Sequence, residues 1–594
     1  MTENIFATLR AHVLTALTTL VPDLPAALLD RVEVSPTRDP AHGDMATNAA
    51  LIAAKPARQA PAALASGLAQ RLLALPEVEA ASPAGPGFVN ITLAPAAWRA
   101  VLPIILRAGI AYGDSTIGAG ARVNVEYVSA NPTGPMHIGH CRGAVLGDAL
   151  ATLLAKAGYA VTREYYINDA GAQVTALAWA TYWRYLEALG TTLDEAAFAA
   201  AVPGGLQYKG DYLIDVGAAL AAKFGNSLAG PDASIADPAL WLDTVRDFAI
   251  DAMMAGVRED LAALGVTPDI YTSERALVAA GAVDKAIARL AADGLIYEGV
   301  LEPPKGKLPE DWEPREQTLF RATQFGDDVD RPLRRSDGAN TYFANDIAYH
   351  ADKLARGYDT LIDVWGADHG GYVPRMQAAV KALAGNRQPL EVLLCQIVHV
   401  IKDGKPLRMS KRAGTYVTLR DLIDDVGRDA IRFTMLTRKG DAQMDFDLDQ
   451  VLAQTRENPV FYVQYAHARC RSVLRMAAEQ LGTLPDDAAL AQTPLDSLAD
   501  SAELTLLRRL ASWPRTVEAA AQNREPNRIA FFLYDLAGDF HMLWNRGRDD
   551  SALRFLQPDQ PEGTLARLAL VAATALVIRS GLAVMGVTPV EELR

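Results

Sequence analysis

Cysteine is nearly absent: the 594 residues hold three, Cys141, Cys395 and Cys470, far apart in the chain. No paired spacing exists from which a disulfide framework or a zinc knuckle could be built, so free thiols and no structural zinc are expected. Long apolar runs are missing too. The longest, residues 568–578, lies between Arg567 and Arg579, short of the roughly 20 residues that cross a bilayer, and reads as a buried helix. The amino-terminal stretch carries Glu3 and Arg10 in an amphipathic pattern and gives no sign of a secretory leader, so a cytoplasmic location without a membrane partner is expected. Basic residues are in deficit, 57 Lys and Arg against 71 Asp and Glu, a net charge of −14. Phosphate binding rests on Lys and Arg, so this balance speaks against a nucleic-acid partner, although a local basic face can coexist with it. What is present is 50% hydrophobic and 22% charged residues, the composition of a folded chain with room for three or four domains.

Residues 1–111 read as a small α+β domain, with an amphipathic helix around residues 64–75 and an alternating strand from Phe88 to Leu93 after the turn Pro83-Ala84-Gly85-Pro86-Gly87. Residues 112–390 open with a strand over 123–128, a Pro- and Gly-rich loop, a helix with Val145, Leu146, Leu150, Leu153 and Leu154 on its apolar positions, and a strand over 161–167. That βαβ order predicts a Rossmann-type parallel sheet, an α/β fold with ligands at the carboxyl ends of its strands. From about 170 to 316 the sheet rhythm lapses into an Ala-rich helical insertion, and strands are expected again near 341–347, 360–365 and 390–401. Residues 391–450 form a loop-bearing connection. Residues 451–594 read as an all-α bundle.

The densest motif is Glu126-Tyr-Val-Ser-Ala-Asn-Pro-Thr-Gly-Pro-Met-His137-Ile-Gly-His140, between the first strand and its helix. Two imidazole N–H donors at a helix start, beside backbone amides that favour anions, suit a reaction that builds negative charge on phosphate. Gly139 leaves room for a base to lie against the backbone. His137-Ile138-Gly139-His140 resembles the HIGH tetrapeptide of class I aminoacyl-tRNA synthetases, and Arg408-Met409-Ser410-Lys411-Arg412 resembles their KMSKS loop. The resemblance implies that His137, His140 and Lys411 are catalytic, Lys411 contacting pyrophosphate as a point charge from a loop whose flanks, Gly404-Lys405-Pro406 and Ala413-Gly414, permit movement. It also implies that Gly139, Met409 and Ser410 sit at ATP. Gly366-Ala367-Asp368-His369, after a strand, is similar to the segment by which this class holds the ATP ribose, which adds Gly366, Asp368 and His369.

Arginine is planar and always cationic, so a selective site needs carboxylates and a hydroxyl-bearing ring. Glu126 stands eleven residues before His137, Asn131 stands six before it, and Tyr342 and Asp346 are four apart. These positions, with Ser129, the segment 165–173 and Asp429-Ala-Ile-Arg432, resemble arginyl-tRNA synthetases. That resemblance implies that Asp346, Tyr342 and Glu126 read the guanidinium, while Asn131 and Ser129 hold the α-amino and α-carboxylate groups. Some members of that family carry a lysine three residues before the first HIGH histidine in place of the second KMSKS lysine. This chain has Gly134 there and keeps Lys411, so the pyrophosphate charge is expected on Lys411.

The carboxyl-terminal bundle resembles the DALR anticodon-binding domain, which implies tRNA contacts from Tyr462, Tyr465 and Arg469 in one segment and Trp544 and Asn545 in another. The opening domain resembles the family's additional amino-terminal domain, which reaches the tRNA D-loop and implicates Phe88 and Asn90. The expected partners are tRNA(Arg), L-arginine and ATP with Mg²⁺, acting on a monomer, with a 2′-hydroxyl as acceptor. A cysteinyl relative would need a thiolate-bound zinc that these cysteines do not provide, and a non-catalytic RNA-binding relative would have no need of both histidines and Lys411.

Overall fold

The computed structural model describes residues 4–37, 39–301, 315–406 and 417–593. The chain forms two compact units, Gly118–Ala453 on one hand and Met1–Ile117 with Gln454–Arg594 on the other.

The first of these units is built on five parallel strands, β1 (Arg122–Glu126), β2 (Ala160–Ile167), β3 (Ile270–Ser273), β4 (Thr360–Gly366) and β5 (Leu390–Cys395). Their spatial order is β5-β4-β1-β2-β3, all pairs parallel. The order reverses between β1 and β4, and in such sheets ligands bind outside the carboxyl ends at that reversal. Both faces are covered, so Val123, Asn124, Val125 and Glu126 of β1 are all buried, as a central parallel strand requires. Register sets Asp363 of β4 beside Glu126, and Glu126 beside Glu164 of β2. Three carboxylates therefore lie in one row on one face of the sheet.

Helix α1 (Ile138–Lys156) joins β1 to β2, and helix α2 (Tyr342–Ala355) lies ahead of β4. The sequence expectation of a strand over 341–347 is corrected. Thr341 caps α2 by accepting from the Ala344 amide, and Phe343, Ala344, Ile347 and Ala348 lie on its buried side, a helical spacing that the β-prone Thr341-Tyr342-Phe343 run concealed. The insertion is also shorter than expected. Its helices, Ala172–Ala188, Glu195–Ala201, Tyr212–Phe224 and Pro238–Leu264, enclose their own core of Trp179, Tyr182, Trp183, Phe198 and Trp241. The sheet resumes at β3, and a three-stranded antiparallel sheet of Ile296–Gly299, Gln317–Phe320 and Arg331–Arg334 follows. The expected strand region 390–401 divides into β5 and Val398–Lys402, which belongs to a separate small sheet.

In the other unit, residues before Ile117 carry a four-stranded antiparallel sheet in the order Val34–Pro36, Met45–Thr47, Phe88–Leu93, Val78–Ala84. Residues after Gln454 are helical. The run read as too short to cross a bilayer belongs to a 25-residue helix, Pro561–Met585, whose most apolar window has a mean hydropathy of 2.0 and is 83% buried in the protein. Length therefore does not exclude a membrane span, but burial accounts for its apolar surface. Arg567, taken as a boundary, lies inside it, buried against Glu503 at 2.8 Å.

Candidate active site

The chain leaves β1 through a strained turn. Val128 and Ser129 have φ of 73° and 38°, left-handed values that cost about 1–3 kcal/mol per residue and persist only when the surroundings impose them. Here Ser129 Oγ donates to Glu126 Oε1 (2.9 Å) and accepts from the Tyr166 amide (3.1 Å), Asn168 Nδ2 donates to the Ser129 carbonyl (3.1 Å), and Tyr165 OH donates to the Ala130 carbonyl (2.8 Å). Asn131 follows, donating to Gln173 Oε1 at 3.0 Å.

His137 caps α1 in a reciprocal arrangement with His140. His137 Nδ1 accepts from the Gly139 amide (3.0 Å), and His140 Nδ1 faces the His137 amide at 3.4 Å. With Nδ1 accepting, a neutral imidazole carries its proton on Nε2, so each ring keeps an N–H donor on the nitrogen away from the helix backbone. The rings stack, 3.9 Å between centroids. A Cβ on Gly139 would lie 2.8 Å from His137 Cε1, so a side chain here would displace the His137 ring from its capping position.

Beneath the turn, α2 and the Arg356 that caps it cover the carboxylate row with three cations spaced three residues apart. His350 Nε2 meets Asp363 Oδ2 at 2.8 Å, Lys353 Nζ bridges Glu126 Oε2 (2.5 Å) and Asp363 Oδ1 (2.9 Å), and Arg356 Nη2 meets Glu164 Oε1 at 2.9 Å. His350 Nδ1 also lies 2.8 Å from the Asp346 carbonyl. Both ring nitrogens thus face acceptors, which suits an imidazolium. Burial pushes the Asp363 carboxyl up, but Lys353 and His350 outweigh it and hold it down at about 2. Burial likewise opposes the charge on Lys353, and Asp363 and Glu126 outweigh it, raising the ammonium above its ordinary value. Glu126 is pushed up by its burial against the pull of Lys353.

Toward the amino end of α2 the balance of charge reverses. Asp346 accepts from Tyr372 OH at 2.7 Å, and its carboxyl is raised from its ordinary 3.8 to about 6 by removal from water, against the pull of that hydroxyl. Glu274, which follows β3, is buried and accepts from Asn345 Nδ2 at 2.9 Å. Its carboxyl is raised, first by burial. The buried Tyr166 hydroxyl and Asn345 Oδ1 have no hydrogen-bond partner among the described residues. Burial pushes the Tyr166 phenol up, and so do the carboxylates of Glu274, Asp346, Glu126 and Asp169. Four acids thus act on one phenol, beside two polar atoms with no partner among the described residues, a carboxylate-rich setting suited to a cation bearing several N–H donors. Tyr342 is 66% exposed at the start of α2, its hydroxyl 3.8 Å from where a Cβ on Gly171 would stand.

Gly366 ends β4, and Asp368 and His369 follow it, both side chains largely exposed and 3.7 Å apart. A Cβ on Gly366 would collide with Asp368 Oδ1. Met409, Ser410 and Lys411 lie outside the described residues.

Three family models match the chain: the arginyl tRNA synthetase N terminal domain over residues 7–93, the tRNA synthetases class I (R) catalytic domain over 102–188, and the DALR anticodon binding domain over 463–593. The arginine–tRNA ligase of Gluconobacter oxydans is 61% identical over the whole of this chain and 98% of its own length. The chain belongs to the arginyl-tRNA synthetase family. The corresponding ligase of Cereibacter sphaeroides is 58% identical over the full length of both chains. The arginyl-tRNA synthetase of Thermus thermophilus superposes with a TM-score of 0.71, covering 99% of this chain and 100% of that one at 23% identity, a likeness of fold.

In this synthetase the helical unit brings together four of the residues expected at tRNA. Arg469 donates to Tyr465 OH (2.7 Å) and lies over the rings of Tyr465 (4.0 Å) and Trp544 (4.8 Å). His541 packs against Tyr462 at 4.6 Å. Its Nε2 donates to the Tyr462 carbonyl (3.2 Å) while Nδ1 faces Arg469 Nη1 (3.1 Å), and burial lowers it to about 4, so it stays neutral beneath the arginine. Asn545 is exposed beside this cluster. Phe88 and Asn90 sit on an interior strand of the amino-terminal sheet, Phe88 38% exposed. Sequence reasoning missed Glu274, His350, Lys353, Asp363 and Tyr372. The 350/353/356 spacing was readable only once α2 was read as a helix.

Proposed function

We propose that arginine enters with its guanidinium between Asp346 and Glu274, flanked by Tyr342 and the Tyr166 hydroxyl, while Asn131 and Ser129 hold its α-amino and α-carboxylate groups and Glu126 adds its charge from below. The chain is an arginine–tRNA ligase. The observation that supports the pocket is the set of carboxylates acting on the Tyr166 hydroxyl, which has no hydrogen-bond partner among the described residues.

ATP enters as its Mg²⁺ complex, its ribose at Asp368 with Gly366 leaving room, His369, Met409 and Ser410 alongside and its base over Gly139. An arginine carboxylate oxygen attacks the α-phosphorus, the bond to pyrophosphate breaks, and the Nε2–H groups of His137 and His140 stabilise the charge that develops, with Lys411 on the departing pyrophosphate. The 2′-hydroxyl of the terminal ribose then attacks the adenylate carbonyl and releases AMP. Residues 451–594 hold the anticodon arm through Tyr462, Tyr465, Arg469, Trp544 and Asn545. Residues 1–111 reach the D-loop through Phe88 and Asn90, and residues 391–450 flank the acceptor stem. The chain works as a cytoplasmic monomer.

The pocket predicts a pH profile. Arginine stays cationic throughout, so binding needs the Asp346 carboxylate. That form is present above about pH 6 and lost as pH falls through it. The ratio kcat/KM for arginine should therefore fall about tenfold per unit below that point. The limb in kcat should lie at lower pH, because bound guanidinium favours the carboxylate. Steady-state aminoacylation with arginine varied at each pH tests this, and a flat kcat/KM through pH 6 contradicts it.

A further inference from the structure

We infer that Lys353 is a positioning residue of the arginine site, acting through Glu126 and, beyond it, Ser129. This rests on the placement of Glu126 and Ser129 in the arginine pocket proposed above. Register forces Asp363, Glu126 and Glu164 side by side on three adjacent strands, and like charges so placed repel. Glu126 is the middle member, and Lys353 is the cation that reaches it, fully buried and in contact with both Glu126 and Asp363. The outer members have their own partners, Asp363 in His350 and Glu164 in Arg356.

The chain of contact continues upward. Lys353 fixes Glu126 Oε2, Glu126 Oε1 accepts from Ser129 Oγ, and Ser129 is the residue held at φ 38° whose hydroxyl also takes the Tyr166 amide. Tyr349, one helical turn before Lys353, lies under its ammonium at 4.4 Å and stacks on Tyr166 at 4.1 Å. One helix therefore presents Tyr342 and Asp346 to the ligand and Lys353 to the residue that shapes the opposite wall. Without Lys353, Glu126 would face two carboxylates on the neighbouring strands with no cation of its own. It would take up a proton at higher pH and lose its bearing on Ser129.

Glu126 is also faced by Tyr349, His350 and Asp346 from α2, which act on it electrostatically, and by Tyr166 from β2. Among them, Asp346 sets an acid limb near pH 6 in the unaltered protein.

The test compares Lys353→Met, Glu126→Gln and the double variant in the full chain by steady-state aminoacylation, varying arginine and ATP separately across pH. Lys353→Met should raise the arginine KM about tenfold or more, with the ATP KM within about twofold. It should also move the acid limb of kcat/KM upward by about one pH unit or more. Glu126→Gln should raise the arginine KM without that shift. The double variant, which replaces the pair by neutral groups of similar size, should match Glu126→Gln alone. It carries the test even if Lys353→Met does not fold. An unchanged arginine KM and acid limb in Lys353→Met, with Glu126→Gln impaired, overturns the inference, as does a double variant much worse than Glu126→Gln. An unchanged arginine KM in Glu126→Gln overturns the placement of Glu126 in the pocket, and the inference with it.

Discussion

Replacing Asp346 by asparagine is expected to cut kcat/KM for arginine by about 10²- to 10³-fold while making the folded protein more stable. The substitution keeps the shape and an acceptor for Tyr372 OH, so the local packing survives. What it removes is the charge proposed to face the guanidinium, and a buried charge-assisted contact is worth about 3–4 kcal/mol, or two to three powers of ten. Stability moves the other way because the carboxyl is raised from 3.8 to about 6 on folding. An acid raised on folding binds its proton more tightly in the folded state, so its contribution to stability falls as pH rises from 3.8 to 6. At neutral pH that difference amounts to about 3 kcal/mol against the folded state. Asparagine carries no such penalty and should gain about 1–3 kcal/mol in urea unfolding at neutral pH. A variant that loses both arginine use and stability would point to Asp346 as a structural residue.

Lys411→Ala is expected to lower arginine-dependent pyrophosphate exchange, measured with tRNA present, by about 10²-fold or more, the roughly 3 kcal/mol of one transition-state charge contact. Charge builds on pyrophosphate as it leaves, and a cation placed there acts mostly in the transition state, so kcat should carry the loss and the arginine KM should change little. Gly134, where some relatives carry a lysine, has no side chain. The hydroxyl of Tyr212 stands 3.2 Å from where its Cβ would be and donates to the Thr133 carbonyl at 2.7 Å. Near-complete activity in Lys411→Ala would remove this lysine from the chemistry.

The catalytic sheet was legible where residues report their neighbours locally. Val123 and Val125 mark β1, Tyr165, Tyr166 and Ile167 mark the end of β2, and the 3.6-residue apolar spacing marks α1, all within a few residues of chain. Strand β3 was not legible, because four residues, Ile270–Ser273, carry too little pattern to stand out between helices, and with it went Glu274. Helix α2 was read as a strand because its first residues favour β structure, whereas Thr341 and the 343/344/347/348 pattern decide for the helix in the folded chain. In Pro561–Met585, Arg567 bounds the apolar run in the sequence, and only its partner Glu503, 64 residues earlier, makes it a core residue.

The site divides in the same way. His137, Gly139 and His140 were readable because their contacts are with one another across three residues. Lys353 was not, since its partner Glu126 is 227 residues away and only the registers of β1 and β4 bring them together. Glu126, expected at the guanidinium from its place before His137, also accepts from Lys353 and Ser129 through its two oxygens, contacts that its position in the chain does not reveal.

A carboxylate-lined pocket that selects a guanidinium should reject analogues that lack its charge or its planar fork. The most direct measurement is aminoacylation of total tRNA with arginine, lysine and citrulline compared by kcat/KM. Citrulline keeps the shape of arginine and lacks its charge, while lysine keeps the charge and lacks the planar fork. Arginine is expected to exceed both by about 10³-fold or more, since a site built to hydrogen-bond a group rejects the analogue lacking it. Comparable use of citrulline or lysine would contradict the pocket proposed at Asp346, Glu274 and Tyr166.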